Sequence, residues 1–166
     1  VKHYFGEYIE AGMKKTGLSY DEYMAKLRKN YGGYRFAPRQ KETLYNPVSI
    51  DLFFSKGGEH FVNYWIETGG MKVLMDVTKH VDFDISMDLD TPVRRASIAN
   101  FDILAMASKR ISKIKYMTLL QQSGYLTIKE ILDRNGKLLE LDFPNEEVAE
   151  AYTERLLPVC IKENEA

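Results

Sequence analysis

The sequence predicts a mainly helical α+β protein with small β-hairpins, and three observations lead to this fold class. Apolar residues recur at helical spacing along much of the chain. Two stretches, 34–45 and 125–143, carry the turn and strand signals of hairpins instead. Of the 166 residues 45% are apolar, which is enough to bury a core and argues against disorder as the main state.

The first helices are defined by local capping signals. Residues 2–15 place apolar side chains at helical spacing, and Gly17 ends that pattern. Ser19 and Glu22 have the spacing of a capping box, which predicts the start of a second helix. The two helices should form a helical hairpin.

A third helix is predicted to follow the small hairpin near 34–45. Asn46 suits the N-cap position and Pro47 the first helical position, so the helix starts here. The later segment FVNYWIETGG, 61–70, predicts one or two turns that bring Trp65 into the core. Together these elements make a helical subdomain over residues 1–92.

A second subdomain is predicted over residues 93–166. The boundary follows from the stretch 82–92, where acidic and apolar residues alternate before Pro92. A short helix and then a helix from about Lys109 to Ser123 should come next, with Gly124 as the stop. A final helix is expected over 145–162, capped by Asn145 after Pro144.

Hairpin 125–143 is predicted to turn at Asn135-Gly136, the preferred pair for a two-residue turn. Such a turn would set Leu132 opposite Leu139 and Lys129 opposite Asp142. Helix, helix, β-hairpin, helix is the outline of a winged-helix-like module.

One basic run lies on the helix before that hairpin, where a winged-helix protein usually carries its recognition helix. Its members, the candidates for nucleic-acid contact, are Lys109, Arg110, Lys113 and Lys115. A solvated helical face is the alternative, because four positive charges on an exposed helix are common, and without further cations toward its end the helix has little to contact phosphates along a duplex. The net charge of the chain, with 23 basic and 24 acidic residues, is only −1, so any nucleic-acid contact has to come from this local patch. The second half is therefore a candidate DNA-binding or protein-interaction module.

Searches for catalytic and metal-binding patterns lead us to predict no catalytic residue, no metal site and no cofactor in this chain. The Gly-Lys pair at 136–137 sits in a hairpin turn, so it is no phosphate-binding loop. The three histidines are too far apart in sequence for a zinc site, and the aspartates of 82–90 lack the pattern of a calcium loop. Cys160 has no histidine nearby and cannot form an internal disulfide.

No apolar run approaches the roughly 18 residues of a membrane span, and nothing at the N-terminus resembles a signal peptide. We expect a soluble, cytoplasmic protein without membrane contact. Because it starts at Val1, we expect a piece of a longer protein.

Five sequence blocks in one order carry a resemblance to a known family. They are YGGYRF (31–36), LYNPVS (44–49), FVNYWIETGG (61–70), LLQQSGYLTIK (119–129) and FPNEEV (143–148). With them the chain resembles the C-terminal part of a bacterial AAA-ATPase-like family. It departs from that family's pattern at Val48, where an aromatic residue is frequent, and at Gly32, where an acidic or polar residue is frequent.

The resemblance implies that the chain is a helical lid followed by a winged-helix-like region. Walker motifs that bind ATP would lie in a P-loop domain upstream, and a PD-(D/E)XK nuclease-like domain would follow downstream. The chain itself would then be a non-catalytic lid and coupling module. The resemblance leaves the oligomeric state and the substrate open.

The nucleotide-sensing candidates are Arg35, Asn46, Pro47 and Ser49. A helix start offers a positive dipole end, and a guanidinium suits phosphate. In the alternative, Arg35 pairs with a local carboxylate and Asn46-Pro47 only starts a helix. The other residues of these motifs are predicted to be structural: Tyr31, Gly33, Tyr34, Phe36, Tyr64, Trp65, Gly124, Tyr125, Asn135, Gly136, Pro144 and Asn145.

Overall fold

The computed structural model describes residues 1–68, 74–76, 93–94, 113–135, 138–156 and 158. Within these ranges the chain is mainly helical with a small antiparallel sheet, so the predicted α+β class is confirmed. The elements are α1 (Lys2–Thr16), α2 (Tyr20–Tyr31), α3 (Pro47–Ser55), a 3₁₀ helix (Trp65–Thr68), β1 (Val93–Arg94), α4 (Lys113–Gln122), β2 (Thr127–Ile131), β3 (Leu138–Asp142), α5 (Glu146–Ala151) and a π-helical turn (Tyr152–Leu156).

The helix boundaries follow the local signals of the sequence. Gly17, with a φ of 71°, ends α1 in the left-handed conformation. Ser19 and Glu22 form the predicted capping box of α2. The side chains of Asn46 and Asn145 cap α3 and α5, as expected. These predictions are therefore confirmed. The sequence could predict these boundaries because each depends on contacts between residues close in the chain.

The hairpin near 34–45 is smaller than predicted. Tyr34 and Leu44 form a single antiparallel bridge, with both backbone hydrogen bonds at 2.8 and 3.1 Å. The chain turns near Ala37 and Gln40, whose backbone atoms are joined by a hydrogen bond of 3.0 Å. Longer strands do not form here.

The second hairpin exists, but its predicted register is wrong. Ile128 pairs with Leu141 and Ile131 with Leu139, and a bulge lies between the two pairs. Leu132 donates to the Leu138 carbonyl at 3.0 Å instead of lying opposite Leu139. This register buries Leu139 and Leu141 and leaves Leu132 exposed, so packing against the core outweighs the turn preference.

Three strands form the sheet, in the order β1-β3-β2. Val93 of β1 pairs with Leu139 of β3 in antiparallel orientation. Lys129 lies beside the predicted partner Asp142 at 3.4 Å and is closer to Glu140, at 3.0 Å. Lys129 is therefore close to its predicted partner Asp142 although the observed register differs from the predicted one.

Two apolar clusters form the core. The first holds Ile9, Tyr23, Leu27, Tyr31, Ile50, Phe53, Phe54 and Tyr64. The second holds Tyr116, Leu120, Leu126, Ile128, Leu139, Val148 and Leu156 among others, and it also takes Tyr34 and Leu74 from early in the chain. Trp65 packs against this second cluster, as the sequence predicted for the core.

Some aromatic side chains expected in the interior reach the surface. Tyr4 and Tyr8 of α1 leave 79% and 55% of their area exposed. Phe36 stacks on Tyr34 with ring centroids 5.8 Å apart, yet 44% of it is exposed. The predicted packing of Phe36 is thus limited to one face of its ring.

Several predictions fall on residues outside the described ranges. These are the acidic boundary at 82–92, the short helix after it, Gly136 of the turn and most of 157–166 at the end of the last predicted helix. Only residues 113–122 of the helix from about Lys109 are described.

Candidate functional site

The start of α3 carries three of the four nucleotide-sensing candidates. The Asn46 side-chain oxygen accepts hydrogen bonds from the backbone of Val48 at 3.0 Å and of Ser49 at 3.4 Å. Pro47 stands at the first helical position and is exposed. Asn46 is therefore held by its own helix, whereas Pro47 and Val48 face outward.

Ser49 faces the opposite way. Its side chain is fully buried, and its hydroxyl donates to the Glu147 carboxyl oxygen Oε1 at 2.6 Å. The two residues are 98 positions apart in the chain. The structure thus brings the LYNPVS and FPNEEV blocks together through one buried hydrogen bond.

Glu147 is the centre of this buried polar cluster. Its other carboxyl oxygen, Oε2, accepts from the backbone N–H groups of Tyr64 and Trp65, both at 3.2 Å. Its main-chain carbonyl accepts from the Asn63 side chain at 2.6 Å. We call these residues, Glu147 with Ser49, Asn63, Tyr64 and Trp65, the Glu147 clasp. It joins α3 and the segment before the 3₁₀ helix to α5.

Burial dominates the electrostatics of the clasp. Only 2% of Glu147 is exposed. Loss of water around the carboxyl raises its pKa from 4.5 to about 7, although the hydrogen bonds from Ser49, Trp65 and Tyr64 act in the opposite direction. Among the salt bridges formed by described residues, none includes Glu147.

The role of Glu147 was not predicted from the sequence, in which it stands beside a second glutamate, Glu146, in the first turn of the last helix. Glu146 is exposed and pairs with Lys29 at 2.8 Å. Glu147 instead lies four residues before the buried Ala151 and next to the buried Val148. Positions i and i+4 share one face of a helix, so the spacing between Glu147 and Ala151 carried a signal for burial.

A second contact joins the YGGYRF and FPNEEV blocks. The Asn145 side-chain amide donates to the Gly32 carbonyl at 2.8 Å, and its oxygen caps α5 by accepting from Val148 at 3.1 Å. Gly33 has a φ of 90°, and a Cβ atom there would collide with the Pro144 carbonyl. Gly33 is thus required by the close approach of the two backbones, whereas a Cβ on Gly32 would lie 2.8 Å from the Arg28 carbonyl oxygen of α2.

Arg35 is tied to the sheet by its backbone. Its N–H donates to the Thr127 hydroxyl at 2.6 Å, and its carbonyl accepts from Ile128 at 3.0 Å. The guanidinium donates to the Pro38 carbonyl at 2.6 Å. Among described residues it has no ion pair, so the alternative of a local carboxylate partner finds no support there.

An aromatic stack lies beside the start of α3. Tyr34 stacks between Phe36 and Trp65, with ring centroids 5.8 and 6.3 Å away, and Trp65 meets Tyr125 edge-on at 5.4 Å. Gly124, with a φ of 83°, lies so near Trp65 that a Cβ would be 3.2 Å from the indole. The rings of Tyr34, Phe36 and Trp65, together with Pro47, line a groove of about 280 Å³.

A larger groove of about 1030 Å³ begins on the other side of Pro47. Tyr4, Leu44 and Ile50 supply apolar walls. Two basic and two acidic residues also line it: Arg28, Lys41, Glu42 and Asp51. The two grooves share Leu44, Tyr45 and Pro47. The outward face of α3's first turn is therefore flanked by open, partly apolar surface.

The structure does not position the predicted nucleic-acid contacts. Lys109 and Arg110 lie outside the described residues, and Lys113 and Lys115 are placed by their backbone only, in the first turn of α4. The spatial arrangement of the four cations stays a prediction.

No group of three potential metal ligands occurs within the described part of the chain. None of the helices in the ranges that the structure covers is both long and apolar enough to cross a membrane. Comparisons with protein-family models, with curated proteins and with solved structures found no match.

Proposed function

We propose that this chain is a non-catalytic lid and coupling module of an AAA-ATPase-like protein. It responds to the nucleotide on an upstream P-loop domain at the start of α3, and it passes that state to a partner or to a downstream nuclease-like domain. The observation that carries the proposal is the buried hydrogen bond between Ser49 and Glu147. It connects the candidate sensor helix to the far end of the chain.

The outward side of α3's first turn suits a contact with another domain. Pro47 is exposed and 50% of Val48 is exposed, while the Asn46 cap holds the helix start in place. The helix start carries a partial positive charge that favours an anion, although its Val48 and Ser49 N–H groups are already bound by Asn46. The neighbouring groove of about 1030 Å³ gives a second surface room to dock.

The inward side of the same turn suits transmission of a displacement. Ser49, one helical turn inside the cap, is bound to Glu147 on α5. Two further hydrogen bonds, from Asn145 to Gly32 and between Thr127 and Arg35, join the segment between α2 and α3 to the start of α5 and to β2. Because the hydrogen bond between Ser49 and Glu147 is buried and short, a shift of α3 has to move α5 or break this bond.

The proposed function includes a lid-like first half of the chain and a winged-helix-like second half. The strand order β1-β3-β2, with α4 directly before the β2-β3 hairpin, supports a winged-helix-like second half. The helical hairpin α1-α2 followed by α3 supports a lid-like first half.

The test uses the full-length parent protein. Arg35→Ala should weaken nucleotide affinity or hydrolysis if the guanidinium senses phosphate, and unchanged values would refute the sensor role. Ser49→Ala should leave nucleotide affinity within a factor of about two but reduce the effect of nucleotide on the downstream activity. The substitution removes the hydrogen bond to Glu147 and leaves the outward surface of α3, which would contact the upstream domain, unchanged. Ser55→Ala, at an exposed site on the same helix, is the control.

If the chain is a coupling module, a substitution can change the nucleotide response of the downstream activity without changing nucleotide affinity. Loss of the nucleotide response in Ser49→Ala at preserved affinity supports the proposal. Equal responses in Ser49→Ala, Ser55→Ala and the unmodified protein would refute coupling through α3.

DNA binding through the second half is the other candidate function, and the strand order with α4 before the hairpin favours it. Replacing Lys109, Arg110, Lys113 and Lys115 with glutamine should abolish salt-sensitive retention on DNA. Basic side chains that neutralise DNA phosphates release counterions, and this release makes the binding depend on salt. If the unmodified chain is not retained at low salt, this candidate is wrong.

A further inference from the structure

The Glu147 clasp combines two features that rarely occur together. It is a structural junction between distant parts of the chain, and its central group is a titratable carboxyl of which only 2% is exposed. An ionised carboxyl in such a place is costly unless a cation compensates it. The salt bridges of the described residues include none to Glu147.

The elements packed around the carboxyl add titratable groups that stay neutral. Tyr31 comes from α2 and Tyr34 from the segment after it, and burial raises the pKa of both phenols above their usual range. The Tyr64 ring lies 5.8 Å from that of Tyr31, and its hydroxyl donates to the His60 carbonyl at 3.3 Å. The residues that α3 contributes, Ser49 and the capping Asn46, do not titrate.

The charged groups nearby are engaged elsewhere. On α5 itself, Glu146 binds Lys29 at 2.8 Å at the surface, and Glu150 accepts from the Asn63 side chain at 3.3 Å. Lys56 lies over the Tyr64 ring, 4.7 Å from its centre.

The hydrogen bonds of the clasp can be kept when the carboxyl takes up a proton. Ser49 donates to Oε1 in the ionised state, and a serine hydroxyl can also accept, so this bond can reverse its direction. The N–H groups of Tyr64 and Trp65 bind the other oxygen, Oε2, in either state. Protonation therefore removes the buried charge without removing a contact.

We infer that the Glu147 clasp is a proton-operated device: it holds α3 and residues 63–65 against α5 most firmly when the carboxyl is protonated, and it loosens as the carboxyl ionises. This inference goes beyond the proposed coupling role, because it concerns the chain alone and needs no nucleotide.

The direction of the pH dependence follows from linkage. The carboxyl pKa rises from 4.5 in the unfolded chain to about 7 in the folded one, so the folded state binds more protons between these values. Its contribution to stability is complete below pH 4.5 and is lost as pH rises through 7. Between pH 6 and pH 8, opening of the clasp should become about tenfold more favourable.

The first experiment measures the titration of the Glu147 carboxyl carbon by NMR in the full 166-residue chain. A Glu147→Gln variant assigns the signal. A midpoint near pH 7 is expected, and a midpoint between pH 4 and 5 would overturn the inference. The midpoint itself is measured on the unmodified protein. The variant serves only for the assignment, which site-selective labelling can also supply.

The second experiment measures hydrogen exchange at the Tyr64 and Trp65 amides between pH 6 and pH 8, corrected for intrinsic exchange. Protection should fall about tenfold in the unmodified chain and in Glu146→Gln, the exposed neighbour, but stay constant in Glu147→Gln. Constant protection in the unmodified chain, or an equal fall in Glu147→Gln, would refute the device while leaving the coupling proposal intact.

Discussion

Replacing Gly33 by alanine tests the joint between the first helices and the last one. Gly33 has a φ of 90°, and an added Cβ would collide with the backbone carbonyl of Pro144. Neither partner is a flexible side chain, so the collision has to separate the two backbone segments. The neighbouring hydrogen bond from Asn145 to the Gly32 carbonyl, 2.8 Å long, would then weaken.

Two contributions set the size of the effect. A left-handed backbone conformation costs an alanine about 1–2 kcal/mol relative to glycine. Loss of the Asn145 hydrogen bond adds about 0.5–1.5 kcal/mol. We therefore expect Gly33→Ala to lower the free energy of unfolding by about 1.5–3.5 kcal/mol.

The matched control is Gly17→Ala. Gly17 also has a left-handed backbone, with a φ of 71°, but an added Cβ there meets nothing within 4 Å. It should cost only the conformational contribution of about 1–2 kcal/mol. Urea unfolding followed by circular dichroism measures both variants, with m-values compared to confirm the same transition. If the two variants lose equal stability, the contact with Pro144 contributes nothing and the reasoning fails.

Three further substitutions test other contacts, each by the same unfolding assay. Ser49→Ala removes the donor to the buried Glu147 carboxyl and should cost about 1.5–3 kcal/mol, whereas the exposed Ser55→Ala should cost less than about 0.5 kcal/mol; similar losses would contradict the buried bond. Asn46→Ala removes the cap of α3 and should cost about 1 kcal/mol, which the neutral capping residue of Asn46→Ser should largely restore. Gly12→Ala would press a Cβ into the Tyr23 hydroxyl and the Gly58 carbonyl and should destabilise by about 1–3 kcal/mol, while Gly6→Ala on the same helix, with open space around it, should be neutral or stabilising; the opposite order would show that packing at Gly12 is loose.

Chain-local features of the fold were predictable. The capping box of Ser19 and Glu22, the Asn46 cap and the left-handed Gly17 each depend on atoms within about four residues of one another. Their free energies are fixed by neighbours that the sequence places together. The general class, helices with small hairpins, follows from such signals.

The register of the second hairpin was not predictable from its turn. Asn135-Gly136 favours a two-residue loop, yet Ile128 pairs with Leu141 and the side chain of Asp133 accepts from the Leu138 backbone at 2.8 Å. Burying Ile128 and Leu141 in a core shared with distant helices contributes more than a preferred turn. Only the packed structure contains that core.

The candidate site also has a part that the sequence predicted and a part that only the tertiary structure shows. The sequence by itself determined that α3 starts at Pro47 with an Asn46 cap, and it singled out Ser49 and the FPNEEV block. Only the tertiary structure decided that Ser49 turns inward to Glu147, across 98 positions of the chain. A buried hydrogen bond of this kind depends on water being excluded from both partners, and that exclusion comes from the assembled core and not from either segment.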